Sequence, residues 1–483
     1  MRNRLESPHI PRREFFSRLS DGLYGTALAT LLGEDLYSSS NPALAGNGVH
    51  DLKPRAPHYR PQAKAVIHLF MNGGPSQVDL FDPKPELARL AGSAPPRDIL
   101  NKIEFADQVG GLFPSPYKFK RRGRCGMELS ELLPHLGEVV DDITLIRSMY
   151  GEHFNHEPAI YLMHSGRTLP NRPSLGSWVV YGLGSETRNL PGYVVLDDPK
   201  GLPINREQNW QSAWLPPVYQ GTRFRSEGPP VLNLESRRNL PSDLIEAERA
   251  LLRRLDTAHR DARPREPELD ARIASYELAA RMQLATSDAL DLSQEDEATR
   301  EMYGLNDELT RSYGTRCLMA RRLVERGVRF VQIFIEGQIW DAHTNLEKML
   351  TYSCGKTDRP AAALVKDLKR RGLLEETLVI WGGEFGRMPL AQVADRGADG
   401  RDHGPDGFSI WMAGGGVKGG LTYGGTDDIG HKAVDQRVSV HDFHATLLHL
   451  LGMNYRDLVY RRHGLDERLT DQFPARVVEE ILV

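Results

Sequence analysis

Apolar residues along the chain fall into two alternating patterns. Short, nearly unbroken apolar runs stand at Ala65–Met71, Ile143–Met149, Pro191–Leu196, Val328–Ile335, Leu378–Trp381 and Phe408–Ala413. Runs of this length, closed by Gly, Pro, Asn or Asp, predict buried strands. Between them the apolar positions recur at helical spacing. Glu128–Val140 shows it in Leu129, Leu132, Leu133, Leu136, Val139 and Val140, and the stretch after Pro158 shows it in Ile160, Leu162 and Met163. Leu309–Gly327, Ala361–Arg371 and Val440–Gly452 predict further helices. Strands alternating with helices predict an α/β fold with a mainly parallel central sheet flanked by helices, in which Ala65–Met71 is a central strand. Two polar amphipathic helices are expected in an insertion around residues 235–300, carried by LIEAERALLRRLDTAHR and ELDARIASYELAARMQLA. Residues 84–126 and 171–234 predict loop-rich excursions, the second anchored by Trp210, Trp214 and Tyr219.

Composition narrows the class. The chain has 483 residues, 40% apolar and 26% charged, as in a globular protein with ample core. A net charge of -4 and the lack of a long basic run argue against a nucleic-acid partner. Cys125, Cys317 and Cys354 are far apart and form no CxxC, which excludes a Cys-rich zinc site and a disulfide framework. At the start of the chain, Arg12-Arg13 precedes Phe15-Phe16, the apolar segment Leu23–Leu32 and the small-residue site Ala43-Leu44-Ala45. That order reads as a twin-arginine export signal over residues 1–45, with a periplasmic or extracellular destination. A linker over 46–62 and one α/β domain over 63–483 are expected to follow. No segment reaches the roughly 18 apolar residues of a membrane span, so no integral membrane segment is expected.

The polar residues that follow the strands carry the candidate chemistry. Asn72 ends the first strand in NGGPS, with Asp79 and Asp82 beyond it. The second leads to His153, Asn155, His156, Glu157 and His164. Of these, Asn155 and His156 fall at a helix N-terminus, where free N–H groups favour an anion. Asp341 and His343 follow the strand Val328–Ile335. Two apart, they face one way in extended chain, and a carboxylate and an imidazole on one side can share a metal. Leu378–Trp381 opens through Gly382-Gly383 into Glu384 and Arg387, and a loop then brings His403. Chemistry gathered at the carboxyl ends of strands is the expected arrangement of an open α/β sheet.

Taken in order, MNGGPSQVDLFDPKP at 71–85, NHEPAIYLMHSG at 155–166, WDAH at 340–343, GGEFGR at 382–387, GRDHGPDG at 400–407 and VHDFHATLLHLLG at 440–452 resemble the sulfatase-like domain of unknown function 1501 family. That family resembles the alkaline phosphatase and sulfatase superfamily. The resemblance implies an alkaline-phosphatase-like fold and a metal site of Asp341, His343 and His403, with Asn72 and Glu384 as further ligands. The superfamily's hydroxyl or thiol nucleophile falls near His156, where neither group stands, and Phe385 takes the place of a metal-binding His. Zn²⁺ is the metal this donor set favours, with Mn²⁺ as the other candidate. Arg387 would bind an oxyanion, and His156 would act as base, transient nucleophile or further ligand. The implied function is an exported metal-dependent hydrolase of sulfate or phosphate esters, acting on a small-molecule or glycan substrate. The alternative is a metal-containing binder of glycans or anions on the same fold, without catalysis.

Overall fold

The run Ala65–Phe70 forms strand β1, all six of whose residues are buried, as befits a strand covered on both faces. The computed structural model describes residues 51–100, 109–231, 241–263, 267–394 and 397–483. Arg12-Arg13, Leu23–Leu32 and Ala43–Ala45 lie outside the described residues. The main unit comprises 49–458 with 468–483. Residues 459–467 group outside it and contain a hairpin of Tyr460–Arg462 with Leu465–Glu467.

The other strands of the main sheet are β2 (Ile143–Tyr150), β3 (Tyr193–Leu196), β4 (Thr222–Phe224), β5 (Phe330–Phe334), β6 (Thr377–Gly382), β7 (Phe408–Ala413), β8 (Leu421–Tyr423) and β9 (Val438–Ser439). Their order is β8-β2-β7-β6-β1-β5-β3-β4, with β9 on β2. β1 pairs in parallel with β5 and β6, and β3 in parallel with β4 and β5. Only β7 runs the other way, antiparallel to both β2 and β6. The sheet is therefore mainly parallel, and β1 is central. The reversed strand matters for the site. The carboxyl ends of β1, β5 and β6 lie along one edge of the sheet, and β7 begins at that edge. Residues just before β7, His403 among them, thus arrive where the other strands leave.

The longer helices are α1 (His156–Ser165), α2 (Leu175–Leu183), α3 (Ser242–Asp261), α4 (Pro267–Ala289), α5 (Glu308–Glu325), α6 (Leu346–Arg370) and α7 (Val440–Leu450), of which α2 stands in a stretch expected to be loop-rich. α3 and α4 are the two polar helices expected near 235–300. α7 begins with a capping box between Ser439 and Asp442. No helix among the described residues is long and apolar enough to cross a membrane. The three cysteines are free thiols.

Two further sequence expectations fail. Glu128–Val140 is not a helix. Met127–Ser130 is a strand paired with Phe119–Arg122, and two short 3-10 turns follow at Leu136–Glu138 and Val140–Asp142. Pro134 interrupts any helix across this stretch. The Asp358 carboxylate then takes the N–H groups of His135 and Leu136 at 2.7 and 2.9 Å. Leu129, Leu133, Leu136, Val139 and Val140 are still core residues, so the apolar spacing marked burial and not helix. In the second case α6 starts well before Ala361 and runs through Pro360, with Leu346, Leu350 and Cys354 buried on its earlier turns.

Candidate metal centre

Four side chains meet at the carboxyl edge of the sheet. His156 is the first residue of α1, which β2 delivers. Asp341 and His343 follow β5, and His403 lies on a two-stranded ribbon in which Arg387 pairs with His403. Asp341 and His343 do not come together through extended chain. The N–H groups of Ala342 and His343 bond the carbonyls two residues back, at 3.0 and 3.1 Å, so consecutive tight turns fold the two side chains together. Gly73 at the end of β1 allows this approach. Its φ is +108°, and a Cβ there would stand 2.7 Å from the Asp341 nitrogen.

One donor atom from each of His156, Asp341, His343 and His403 lies within 4.8 Å of the others. Asp341 Oδ1 is 2.8 Å from His343 Nε2 and 3.2 Å from His403 Nε2, and its Oδ2 is 3.3 Å from His156 Nε2. The Nε2 atoms of His343 and His403 are 3.0 Å apart. The opposite ring nitrogens of two of these histidines are engaged elsewhere. His156 Nδ1 is 2.6 Å from Glu384 Oε1, and His343 Nδ1 is 2.5 Å from Gln392 Oε1. With Nδ1–H donated outward, each Nε2 presents a lone pair to the centre.

This donor set fits a divalent cation. Two imidazole nitrogens 3.0 Å apart, as those of His343 and His403 are, need a proton or a cation between them. The buried His156 Nε2 has no hydrogen-bond partner. A tetrahedral site with bonds of about 2.0–2.1 Å separates its donors by about 3.3 Å; the Asp341 contacts and the His343–His403 pair lie at 2.8–3.3 Å, and all four donor atoms lie within 4.8 Å of one another. Imidazole with one carboxylate suits Zn²⁺, and also Mn²⁺. The side chains of His343 and Asp341 are 33% and 21% exposed, against 10% for His156, so the cluster opens to solvent on the His343 side.

A family profile described as "Protein of unknown function (DUF1501)" matches residues 63–482. The chain belongs to this family. No curated protein matches the DUF1501 chain in sequence. Among solved structures it is similar to the lipoteichoic acid synthase LtaP from Listeria monocytogenes, at 9% identity and a TM-score of 0.38, over 89% of this chain and 82% of that one. It is also similar to the PsFucS1 sulfatase from Pseudoalteromonas sp., at 11% identity and a TM-score of 0.33, over 82% and 68% of the two chains. A protein in the alkaline phosphatase superfamily from Vibrio parahaemolyticus is a third, at 12% identity and a TM-score of 0.31, over 91% and 77%. Likeness of this extent says nothing about what the DUF1501 chain acts on.

The remaining candidates of the DUF1501 chain take supporting positions. Glu384 is outside the four-donor cluster, although a ligand role was expected. Its Oε1 accepts from Gly73 N–H at 2.9 Å and meets His156, while its buried Oε2 has no partner. Asn72 is likewise outside the cluster. Its amide donates to the carbonyls of Ile335 and Gly337 at 2.6 and 3.0 Å, bracing the chain where it leaves β5, and its buried Oδ1 has no partner. Arg387, expected to clamp an oxyanion, is fully buried. Its Nη2 donates to Asp341 Oδ1 at 2.6 Å and to the Gly73 carbonyl, its Nε to Gly74 O at 3.0 Å and its Nη1 to Arg401 O at 3.3 Å. Nor does it pair with Glu384. Asp79 forms a buried two-pronged pair with Arg401, at 2.7 and 3.0 Å. Phe385 packs its ring against His156 and His403, at 4.8 and 4.7 Å between centroids. His164 sits in the core, its Nδ1 3.0 Å from Gln332 Nε2. Gln392 escaped the sequence reading, because nothing in LAQVA marks a residue that reaches a histidine 49 positions away.

The charges follow from this packing. Burial alone would raise the Asp341 pKa, but the adjacent imidazoles of His156, His343 and His403 and the Arg387 charge hold it well below the carboxylate range. Burial opposes charge on His156, and the Asp341 and Glu384 carboxylates outweigh it and raise its pKa. For His403, burial together with the nearby Arg387 and His156 prevails over Asp341 and lowers it. In one small cluster, then, one imidazole is driven toward the charged form and another toward the neutral form.

Proposed function

We propose that this protein is an exported, metal-dependent hydrolase of sulfate or phosphate esters on a small molecule or glycan. The observation that carries the reading is the four-donor cluster of His156, Asp341, His343 and His403 at a solvent-open sheet edge. A bound divalent metal would supply Lewis-acid polarisation of an ester oxygen and a water of lowered pKa. The chain's own residues do the rest. His156, Asp341, His343 and His403 would hold the ion. Arg387 fixes Asp341, and Glu384 fixes His156, so both act as positioning residues. The first turn of α1 has no side-chain cap from Asn155, which leaves its N–H groups to favour an anion beside His156. Charge supports an anionic substrate as well. Asp341, Glu384 and Arg387 together carry one negative charge, so a divalent ion with neutral imidazoles leaves the centre positive. Export rests on the order of Arg12-Arg13, Leu23–Leu32 and Ala43–Ala45 in the sequence.

A second reading, a metal-containing binder of anions or glycans, is favoured by one feature. His156 stands where the superfamily's nucleophile would fall, with no Ser, Thr or Cys among the described residues of that turn beside it, and Phe385 covers one side of the imidazoles. The test is metal analysis of the purified protein with a screen on aryl sulfates and phosphates, wild type against His343→Ala. Metal-dependent turnover lost in His343→Ala is expected. Bound metal without turnover, together with glycan binding, would favour the binder, and a metal-free inactive protein would remove both readings.

A further inference from the structure

We infer that Gln392 is a positioning residue of the metal centre, fixing His343 in the tautomer and orientation that turn Nε2 toward the other donors. The inference rests on reading the cluster as a metal site. Among the four donors His343 is the least supported. His156 begins a helix and is 10% exposed, and His403 lies on a paired ribbon and is 13% exposed. His343 stands in a turn and is 33% exposed. Its ring must be held by whatever meets Nδ1, and that group is the Gln392 amide oxygen at 2.5 Å.

Gln392 is well placed for this. It lies on Leu390–Ala394, the middle strand of a three-stranded sheet, opposite Gly400 on one side and Val109 on the other. The same sheet presses on the His343 backbone. A Cβ on Gly400 would fall 1.8 Å from the His343 carbonyl oxygen, so only glycine permits the approach. One strand pair thus grips His343 twice, at the backbone through Gly400 and at the ring through Gln392. An amide can meet Nδ1 in either of two senses. Its oxygen accepts from Nδ1–H and leaves Nε2 free to bind a cation. Turned over, its NH₂ would donate to Nδ1 and put the proton on Nε2, which then cannot bind. A carboxylate has only the first option. A second acceptor nearby, Asp402 Oδ1, is 3.9 Å from the same nitrogen, beyond hydrogen-bond reach.

The test is Zn²⁺ affinity by chelator competition on the full chain, with Co²⁺ absorption as a readout of donor number. The variants are Gln392→Ala, Gln392→Glu and the double variant Gln392→Ala with Asp402→Asn. Loss of the partner of a metal-binding imidazole weakens affinity by about 10- to 100-fold, which is the effect expected for Gln392→Ala and for the double variant. Gln392→Glu should bind at least as tightly as wild type with an unchanged Co²⁺ spectrum, a rescue that a merely structural role would not produce. Wild-type affinity in both alanine variants would overturn the positioning role and leave the metal reading standing. A wild-type protein that takes up no Zn²⁺ or Co²⁺ would overturn both together.

Discussion

Replacing Arg387 separates an anion clamp from an internal brace. As a clamp it would face the substrate, and Arg387→Met would spare the fold and weaken binding. The structure buries it completely and occupies its donors with Asp341 and the carbonyls of Gly73, Gly74 and Arg401. The bond to Asp341 is charge-assisted, worth about 1.5–3 kcal/mol. Deleting the guanidinium also strips the buried Gly73 and Gly74 carbonyls of this donor, at about 1–3 kcal/mol for an unsatisfied group. The Met side chain recovers some of this by filling the space. The expected loss is therefore about 3–5 kcal/mol, the range for removing one partner of a buried charge pair. Equilibrium urea unfolding at neutral pH, in chelator and again with Zn²⁺, measures it. The loss should appear in chelator, since the brace does not depend on the ion. A variant within about 0.5 kcal/mol of wild type, the range of an ordinary surface change, would refute the reasoning.

Two further outcomes follow from buried groups. Asp79→Asn leaves the Arg401 charge unpaired in the interior and should cost about 3–5 kcal/mol in the same unfolding assay while Zn²⁺ still binds; loss of metal without loss of stability would instead make Asp79 a ligand. Burial lowers His68 and His444 to about 3, below the usual 6.5. The unfolded chain therefore binds more protons below pH 6.5. The stability these two neutral rings contribute is present above 6.5 and lost progressively as pH falls toward 3, by about 2 kcal/mol each at pH 5. Urea midpoints at pH 7 and pH 5 should fall less in His444→Gln than in wild type, and equal falls would count against the assignment.

The parts of the fold that were legible in the sequence are those with local causes. β1, β5 and β6 are buried on both faces, so each reads as a nearly unbroken apolar run, with His68 in β1 and Gln332 in β5 as interruptions, and the chain beyond their carboxyl ends carries Asn72, Asp341 and Glu384. His156 at the start of α1 was marked by Pro158 and the spacing beyond it. The failures have equally particular causes. Leucines at helical spacing in Glu128–Val140 serve a strand and turns, because the Asp358 carboxylate, 222 residues away from Leu136, takes the backbone donors. The partners of the candidate residues are set by contacts that their local sequence does not carry. Whether Glu384 touches an ion or an imidazole, and whether Arg387 faces solvent or Asp341, depends on contacts between segments distant in the chain, which no periodicity encodes. Gln392 is the extreme case, a residue of no distinguishing pattern whose position only the sheet of Leu390–Ala394 defines.

The central claim is that one divalent cation is held by His156, Asp341, His343 and His403. Anomalous diffraction at the zinc edge, from crystals of Zn²⁺-loaded protein, tests it most directly. The account predicts one strong peak among those four side chains, with Glu384 Oε1 remaining on His156 Nδ1. No peak there, or a peak centred on Asn72 and Glu384, would contradict it.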